Sequence, residues 1–409
     1  MNDVDVEYLA SPSWDERMPA RLRWLRENDP VRWSEKDGLW LVARFADVDT
    51  ISRRQDLFTS AHGVRPGNPT KIGLIDEGEP RHAQLRALIH RGFTPRRVGE
   101  LERVFRRLVT RAIDAIAKRP ECDFVAHISV PLPLWLIAAL IGIREEDYDR
   151  FHEWSDAMIA ADGNAGDPEI MARAGKAYFE YAAYVTGIIE DRRRRPKDDL
   201  VSILVGAKDA GLLRHYDETA RFADLPGAQA GLQNDELIKL LVILLVAGNE
   251  TTRNAITGGM QLLIENPGER SKLLEDPRRI PPAVEEMVRL VSPVQSFGRT
   301  ATRDTELRGR RIRAGEQVLL LYASANRDPA EFADPDAFRV ERRPRHLGFG
   351  IGSHYCLGAH LARMEMRVVF GELLRRLPDM AYAAGGPVMV PSALVRSCRE
   401  MRVRYTPEA

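Results

Sequence analysis

The sequence predicts a mainly α-helical fold with minor β-structure, organised as one domain over residues 1–409. Three observations carry this expectation. Apolar residues recur at helical spacing through most of residues 80–204. A strongly apolar helix begins after Asn234. Strand-like runs are short and lie towards the two ends of the chain, and no internal repeat or low-complexity linker divides it.

Taken in order, residues 14–28 read as a helix, 31–33 and 39–42 as strands, and 45–53 as a second helix. Residues 59–79 form a loop rich in Gly and Pro (Gly63, Pro66, Gly67, Pro69, Gly73), long enough to be functional rather than a connector. The helical stretch that follows is interrupted near Pro95, Pro120 and Pro131, where the ring removes a backbone donor. The run Arg192 to Arg195 reads as a solvated helix end whose charge complements the helix dipole. A polar stretch over 207–233 leads to the apolar helix, with Asn234 as N-cap and Asp235 and Glu236 in its first turn. Helices near 267–274 and 281–291 come next. Past Ser292-Pro293 the pattern turns to short strands at 299–301 and 317–321, then an irregular Pro-rich passage over 328–345. A last helix starts after Cys356, and small β pieces follow Met380.

Composition narrows the function. With 44% hydrophobic residues the chain can bury a large core, which excludes an intrinsically disordered protein. Sixty basic and sixty acidic side chains cancel, so nothing provides the excess positive charge that nucleic acid or an anionic membrane requires. The most apolar run, 237–248, carries Lys239 and falls well short of the roughly 20 residues of a membrane span. The acidic start lacks a signal-peptide pattern, and three cysteines (Cys122, Cys356, Cys398) make no disulfide framework. A cytoplasmic location is expected.

Chemistry concentrates in four places. The first is Phe349-Gly350-Ile351-Gly352-Ser353-His354-Tyr355-Cys356-Leu357-Gly358. Its glycines permit a tight loop, and Cys356 stands before a periodic helix with Leu357, Leu361, Met364 and Val368 on one face. Backbone N–H groups at a helix start favour a thiolate, the metal-binding form. A buried structural cysteine is equally compatible with the loop alone. A zinc site of His354, Cys356 and His360 lacks a fourth ligand, and a dinucleotide fingerprint lacks its third glycine. The second is Glu286 and Arg289, one helical turn apart, readable as an ordinary ion pair. The third is Ala247-Gly248-Asn249-Glu250-Thr251-Thr252, an odd sequence for a helix interior, readable as a buried kink or as a helix opened around a ligand. The fourth is His82 with Arg86, also one turn apart.

Taken together these residues resemble the cytochrome P-450 superfamily of haem-thiolate monooxygenases. Phe-Gly-x-Gly-x-His-x-Cys-x-Gly is met at every fixed position from Phe349 to Gly358, and the resemblance runs from about Trp14 to Thr406. It implies a P-450 fold with haem b between the oxygen-site helix and the cysteine-loop helix, Cys356 as iron ligand and O2 as co-substrate. It makes Thr251 the hydroxyl that supports oxygen activation and Glu250 the acid that feeds it protons. His82, Arg86, Arg299 and His354 become haem propionate contacts, with Phe349, Gly350, Ala247 and Gly248 beside the macrocycle. Glu286 and Arg289 become a buried structural cluster. The connection over 212–233 is longer than usual for the family.

The same resemblance places Leu74, Ile75, Ile243, Val246, Ala247, Val294, Phe297, Leu394 and Val395 around the substrate. All are apolar, so shape and burial should dominate binding. Similarity around Gly63-Val64-Arg65-Pro66 and Phe93-Thr94-Pro95-Arg96-Arg97 points to hydroxylation of steroids or branched lipids, with terpenoid or polyketide tailoring as the alternative. A non-catalytic haem sensor or electron carrier is the rival class, although neither needs a proton relay. The chain has no flavin or iron–sulfur motif, so a ferredoxin and a flavin-dependent ferredoxin reductase are implied, with Arg107, Arg111 and Arg345 offering a basic face.

Overall fold

The chain begins with helix α1 (Met18–Asn28), a hairpin of β1 (Val31–Ser34) and β2 (Leu39–Val42), helix α2 (Phe45–Arg53) and the short strand β3 (Phe58–Thr59). This computed structural model describes residues 6–10, 14–67, 71, 73–161, 167–197, 199–209 and 234–408. The segment 212–233, Pro69 and the side-chain caps expected at Asn234, Asp235 and Glu236 lie outside the described residues. The first helix starts four residues later than its periodicity suggests. Trp14 is instead buried in a non-helical turn, where its indole N–H donates to the Tyr8 carbonyl at 2.5 Å.

The helical block comprises α3 (Arg81–His90), α4 (Pro95–Ala117), the strand β4 (Glu121–Asp123), α5 (Pro131–Ile141), α6 (Tyr148–Ala160), α7 (Pro168–Arg194) and α8 (Leu200–Asp209). Two breaks fall where proline was expected to force them. Thr94 caps α4 by accepting from the Arg97 amide, with Pro95 in the first turn, and Pro131 opens α5. At the basic end of α7, Arg193, Arg194 and Arg195 are exposed as expected of a solvated cluster, but Arg192 departs from it. Arg192 is buried and donates to Asp199 at 2.5 Å and Asp191 at 2.6 Å, so α7 and the start of α8 are tied by charge.

Helix α9 (Asn234–Glu265) crosses the centre of the molecule and contacts α5, α6, α7 and the later helices. Its long apolar stretch follows from that position, because a helix surrounded by protein must be apolar on more than one face. Helices α10 (Pro267–Glu275) and α11 (Ile280–Val291) lead to a five-stranded sheet built by β5 (Ser296–Ala301) and, after the hairpin β6 (Thr305–Leu307) and β7 (Arg310–Ile312), by β8 (Gln317–Leu321). Its strand order is β1-β2-β8-β5-β3, with β2 and β8 parallel and the other pairs antiparallel. The short helix α12 (Tyr322–Ala325), the irregular passage and helix α13 (Ala359–Arg376) follow. The C-terminal strands are β9 (Ala381–Tyr382), β10 (Val388–Val390), β11 (Ser397–Glu400) and β12 (Arg402–Arg404).

Helix α13 packs against α4, α9 and α11. At Gly259 the approach to α9 is so close that a Cβ would lie 2.5 Å from the Phe370 ring. The irregular passage before α13 has few backbone hydrogen bonds of its own and is held by side chains instead. Arg289, fully buried, donates to Glu286 at 2.7 and 2.8 Å and to the carbonyls of Asn326 and Pro335 at 2.8 and 2.7 Å. Arg342 adds a bond to Glu286 at 2.9 Å. The pair is thus an interior cluster and not a surface ion pair. Removing one partner leaves a buried charge uncompensated, so Glu286→Ala should cost about 3–5 kcal/mol of stability in a denaturant titration.

Candidate active site

A cavity of about 1540 Å³, counting its open mouth, lies between α9 and the loop leading into α13. Backbone geometry explains the loop. Gly350 and Gly352 have φ of 66° and 78°, in the left-handed region that favours glycine, and a Cβ on Gly352 would stand 2.5 Å from the Ser52 carbonyl oxygen at the end of α2. The Cys356 amide donates back to Phe349 at 2.8 Å, which closes the loop and presents the sulfur to the cavity. Burial pushes the Cys356 thiol pKa up, against the Gly358 N–H and the charges of Arg86 and Arg363, which pull it down. The Gly358 N–H at the helix start thus acts in the direction expected from the sequence, favouring the thiolate.

Beside the sulfur the cavity is basic. His82, Arg86, Arg299 and His354 all line it. The His82 and His354 rings stack at 3.8 Å, and His82 Nδ1 lies 2.9 Å from Glu79. Among the described residues neither Arg86 nor Arg299 has a carboxylate partner, and the buried Nε of Arg299 and Nε2 of His354 make no hydrogen bond. Burial, reinforced by the charges of Arg299, His82 and Arg86, lowers the His354 pKa to about 2. Burial also lowers those of His82 and Arg86, with Glu79 acting in the opposite direction on His82. Orphaned donors of one sign in one buried space fit a ligand with carboxylates there. The haem propionates match that chemistry, and the apolar remainder of the cavity matches a macrocycle.

Across the cavity, α9 contributes Ile243, Leu244, Ala247, Gly248, Thr251, Thr252 and Ala255. Thr251 donates its hydroxyl proton to the Ala247 carbonyl at 2.7 Å, the back-bond to be expected of a threonine inside a helix. Glu250 does not line the cavity. It is buried on another side of α9, accepting from Asn254 at 2.8 Å and Ser397 at 3.3 Å and paired with Arg253 at 2.5 Å.

Of the residues expected around substrate, Leu74, Ile75, Ile243, Ala247, Val294 and Phe297 line the cavity. Val246, Leu394 and Val395 do not. Val246 packs against the core, because adjacent helix residues are rotated by about 100° and the cavity face runs through Leu244, Ala247 and Thr251 on the other side of Ile243. Val395 forms a β-bridge with Val294, and the Leu394 carbonyl accepts from Gln295, so this turn supports the wall from outside. Residues not anticipated include Val64, Leu244, Thr252 and Glu365. A stripe at i, i+4 and i+8 from Ile243 and Leu244 would have found the α9 members. Glu365 is a buried acid on α13 whose Oε2 has no partner, and burial holds its carboxyl well above the usual range. Its signal was an acid between Leu361 and Val368 on an otherwise apolar face.

Behind the cysteine loop, Glu285 on α11 accepts from Arg363 on α13 at 2.7 and 2.8 Å and lies 3.1 Å from His346. Burial works to raise the Glu285 pKa, but these hydrogen bonds outweigh it and bring the carboxyl to about 2.

Comparison with known proteins assigns this architecture. The family model described as Cytochrome P450 matches residues 167–378, more than half of the chain. The chain belongs to the cytochrome P450 family. A steroid C26-monooxygenase of Mycolicibacterium smegmatis is 36% identical over 389 residues, covering 95% of this chain and 92% of that protein. A methyl-branched lipid omega-hydroxylase of Mycobacterium bovis is 36% identical over 385 residues, covering 90% and 85%. The crystal structure of CYP109E1 from Bacillus megaterium with corticosterone superposes with a TM-score of 0.83 at 31% identity, covering 95% of this chain and 98% of that one. Membership makes this P450 a haem-dependent monooxygenase that uses O2, and among the described residues no helix is long and apolar enough to cross a membrane.

The depressed pKa of Glu285 has a consequence for acid stability. Its stabilising contribution is present above the unfolded value near 4.5 and is lost as pH falls towards about 2. Glu285→Gln should flatten the stability loss across that window, read from denaturant midpoints as a function of pH.

Proposed function

We propose that this P450 hydroxylates a steroid or methyl-branched lipid, with haem b held by Cys356 and its propionates held by Arg86, Arg299, His82 and His354. The observation that carries the reading is the division of one cavity into a sulfur, a basic corner whose two arginines have no carboxylate partner among the described residues, and an apolar wall of Leu74, Ile75, Ile243, Val294 and Phe297. Relatives named for steroid and branched-lipid oxidation favour the substrate class.

When bound, the haem supplies O2 cleavage and transfer of one oxygen atom to carbon. The chain's own residues supply the rest. Phe349, Gly350, Ala247 and Gly248 border the macrocycle. The apolar wall orients the substrate by shape, offering almost no polar group that would anchor it. Thr251 has its proton committed to the Ala247 carbonyl, so its oxygen presents lone pairs to the cavity and accepts a hydrogen bond from a protonated group there. Glu250 relays protons: its carboxylate must leave Arg253, take a proton from water and turn towards the cavity to pass it on. Electrons come from a ferredoxin served by a flavin-dependent ferredoxin reductase in the cytoplasm. Arg107 and Arg111 offer a basic face for it, although Arg111 is paired with Glu145 at 3.6 Å and Arg345 with Asp49 at 2.8 Å.

Two measurements test this. The reduced protein with carbon monoxide should give the red-shifted thiolate band, and sterols or branched lipids should produce the low-to-high spin shift more strongly than terpenoids or polyketides. A missing band rejects Cys356 ligation, and a preference for terpenoids or polyketides rejects the substrate class. Thr251→Ala should bind substrate normally but divert most NAD(P)H consumption to hydrogen peroxide; unchanged coupling removes the role given to that hydroxyl.

A further inference from the structure

The cysteine loop is held from behind by one arginine that uses all three of its nitrogens. Arg363 donates through Nε and Nη2 to the two oxygens of Glu285, at 2.7 and 2.8 Å, and through Nη1 to the Tyr355 hydroxyl at 2.9 Å. Its guanidinium carbon also lies 4.4 Å from the centre of the Phe349 ring. Tyr355 immediately precedes Cys356, and the Phe349 carbonyl accepts from the Cys356 amide. One cation thus grips the loop at both of the residues that fix the position of the sulfur.

The other side of the cluster is equally determined. The Gly348 amide donates to His346 Nδ1 at 3.0 Å, which leaves Nε2 to carry the proton towards Glu285 at 3.1 Å. The cluster therefore contains an imidazole, one carboxylate and one guanidinium. Phe349 lines the cavity and Arg363 does not, so the cation acts on the loop from outside it. Arg363 touches the loop directly at Tyr355 and Phe349, whereas Glu285 reaches it through Arg363 and His346 and so stands one step further from the sulfur.

We infer that Arg363 and Glu285 are positioning residues that set the reduction potential of the cysteine-ligated iron through opposed charges behind the loop. Arg363 is the nearer and favours the electron-rich, reduced state; Glu285 fixes the guanidinium and partly offsets it. Neither touches substrate or the reacting atoms. The inference rests on the reading of Cys356 as the iron ligand.

The test measures the midpoint potential of the haem-loaded protein with the carbon monoxide spectrum as a check on ligation. Arg363→Gln should move the midpoint negative, because it removes a positive charge and leaves Glu285 beside the loop. Glu285→Gln should move it positive, because it removes the offsetting charge while keeping the shape. A merely structural clamp would loosen the loop in both variants and move both midpoints the same way. Arg363→Lys keeps the charge but not the fork, and should fall nearer the unsubstituted protein than Arg363→Gln. Shifts of one sign in both Gln variants, or no shift with the thiolate band intact, overturn the inference. Should Arg363→Gln fail to retain haem, Glu285→Gln decides alone: a positive shift supports the inference and an unchanged or negative one ends it. Absence of the thiolate band in the unsubstituted protein would instead remove Cys356 ligation, and this role with it.

Discussion

The loop around Cys356 must be irregular enough to project a sulfur and rigid enough to keep it in one place. These demands conflict, because a backbone that abandons helix and strand also abandons their hydrogen bonds. The protein resolves the conflict with buried charge. Arg289 and Arg342 donate to carbonyls of the preceding passage while Glu286 accepts from both guanidiniums, Asn326 accepts from the Leu347 amide at 2.7 Å, and Glu285 with Arg363 holds the far side. Each of these side chains satisfies backbone or charge that the loop's own geometry leaves exposed. The sulfur stays where it is only while that scaffold is complete.

Elements with a strong period were legible in the sequence almost to the residue. The helix over Phe45–Arg53 and the strand over Gln317–Leu321 both fall at the expected places. What the sequence hid depends on partners far along the chain. Trp14 fits a helical pattern, yet its indole finds the Tyr8 carbonyl and stays outside the helix. Arg192 looks like a surface charge until Asp199 folds back onto it. Val246 carries the right chemistry but stands on the wrong side of α9, which a stricter use of the helical period would have detected. Glu250 shows the same limit in the site, because nothing near it in sequence announces the contact with Ser397.

The cavity combines two regimes of recognition. Near the sulfur and the basic corner, positions are fixed by charge and hydrogen-bond direction. Near Leu74, Ile243 and Phe297 they are fixed by contact alone. Val64 joins the second group because its carbonyl accepts from the Gly298 amide at 2.7 Å, pinning the Gly/Pro loop to β5. An apolar molecule entering this space gains from burial without a polar anchor, so small changes in wall shape translate directly into which carbon meets the oxidant.

The contact between Gly352 and the Ser52 carbonyl has a wider meaning. All four motifs that suggested chemistry lie after residue 80, yet the cysteine loop rests on a carbonyl contributed by the first sixty residues. A fragment retaining every signature would still lack one wall of its own mould. In this chain the unit of catalysis is wider than the stretch that advertises it, and α2 belongs to the chemistry it never touches.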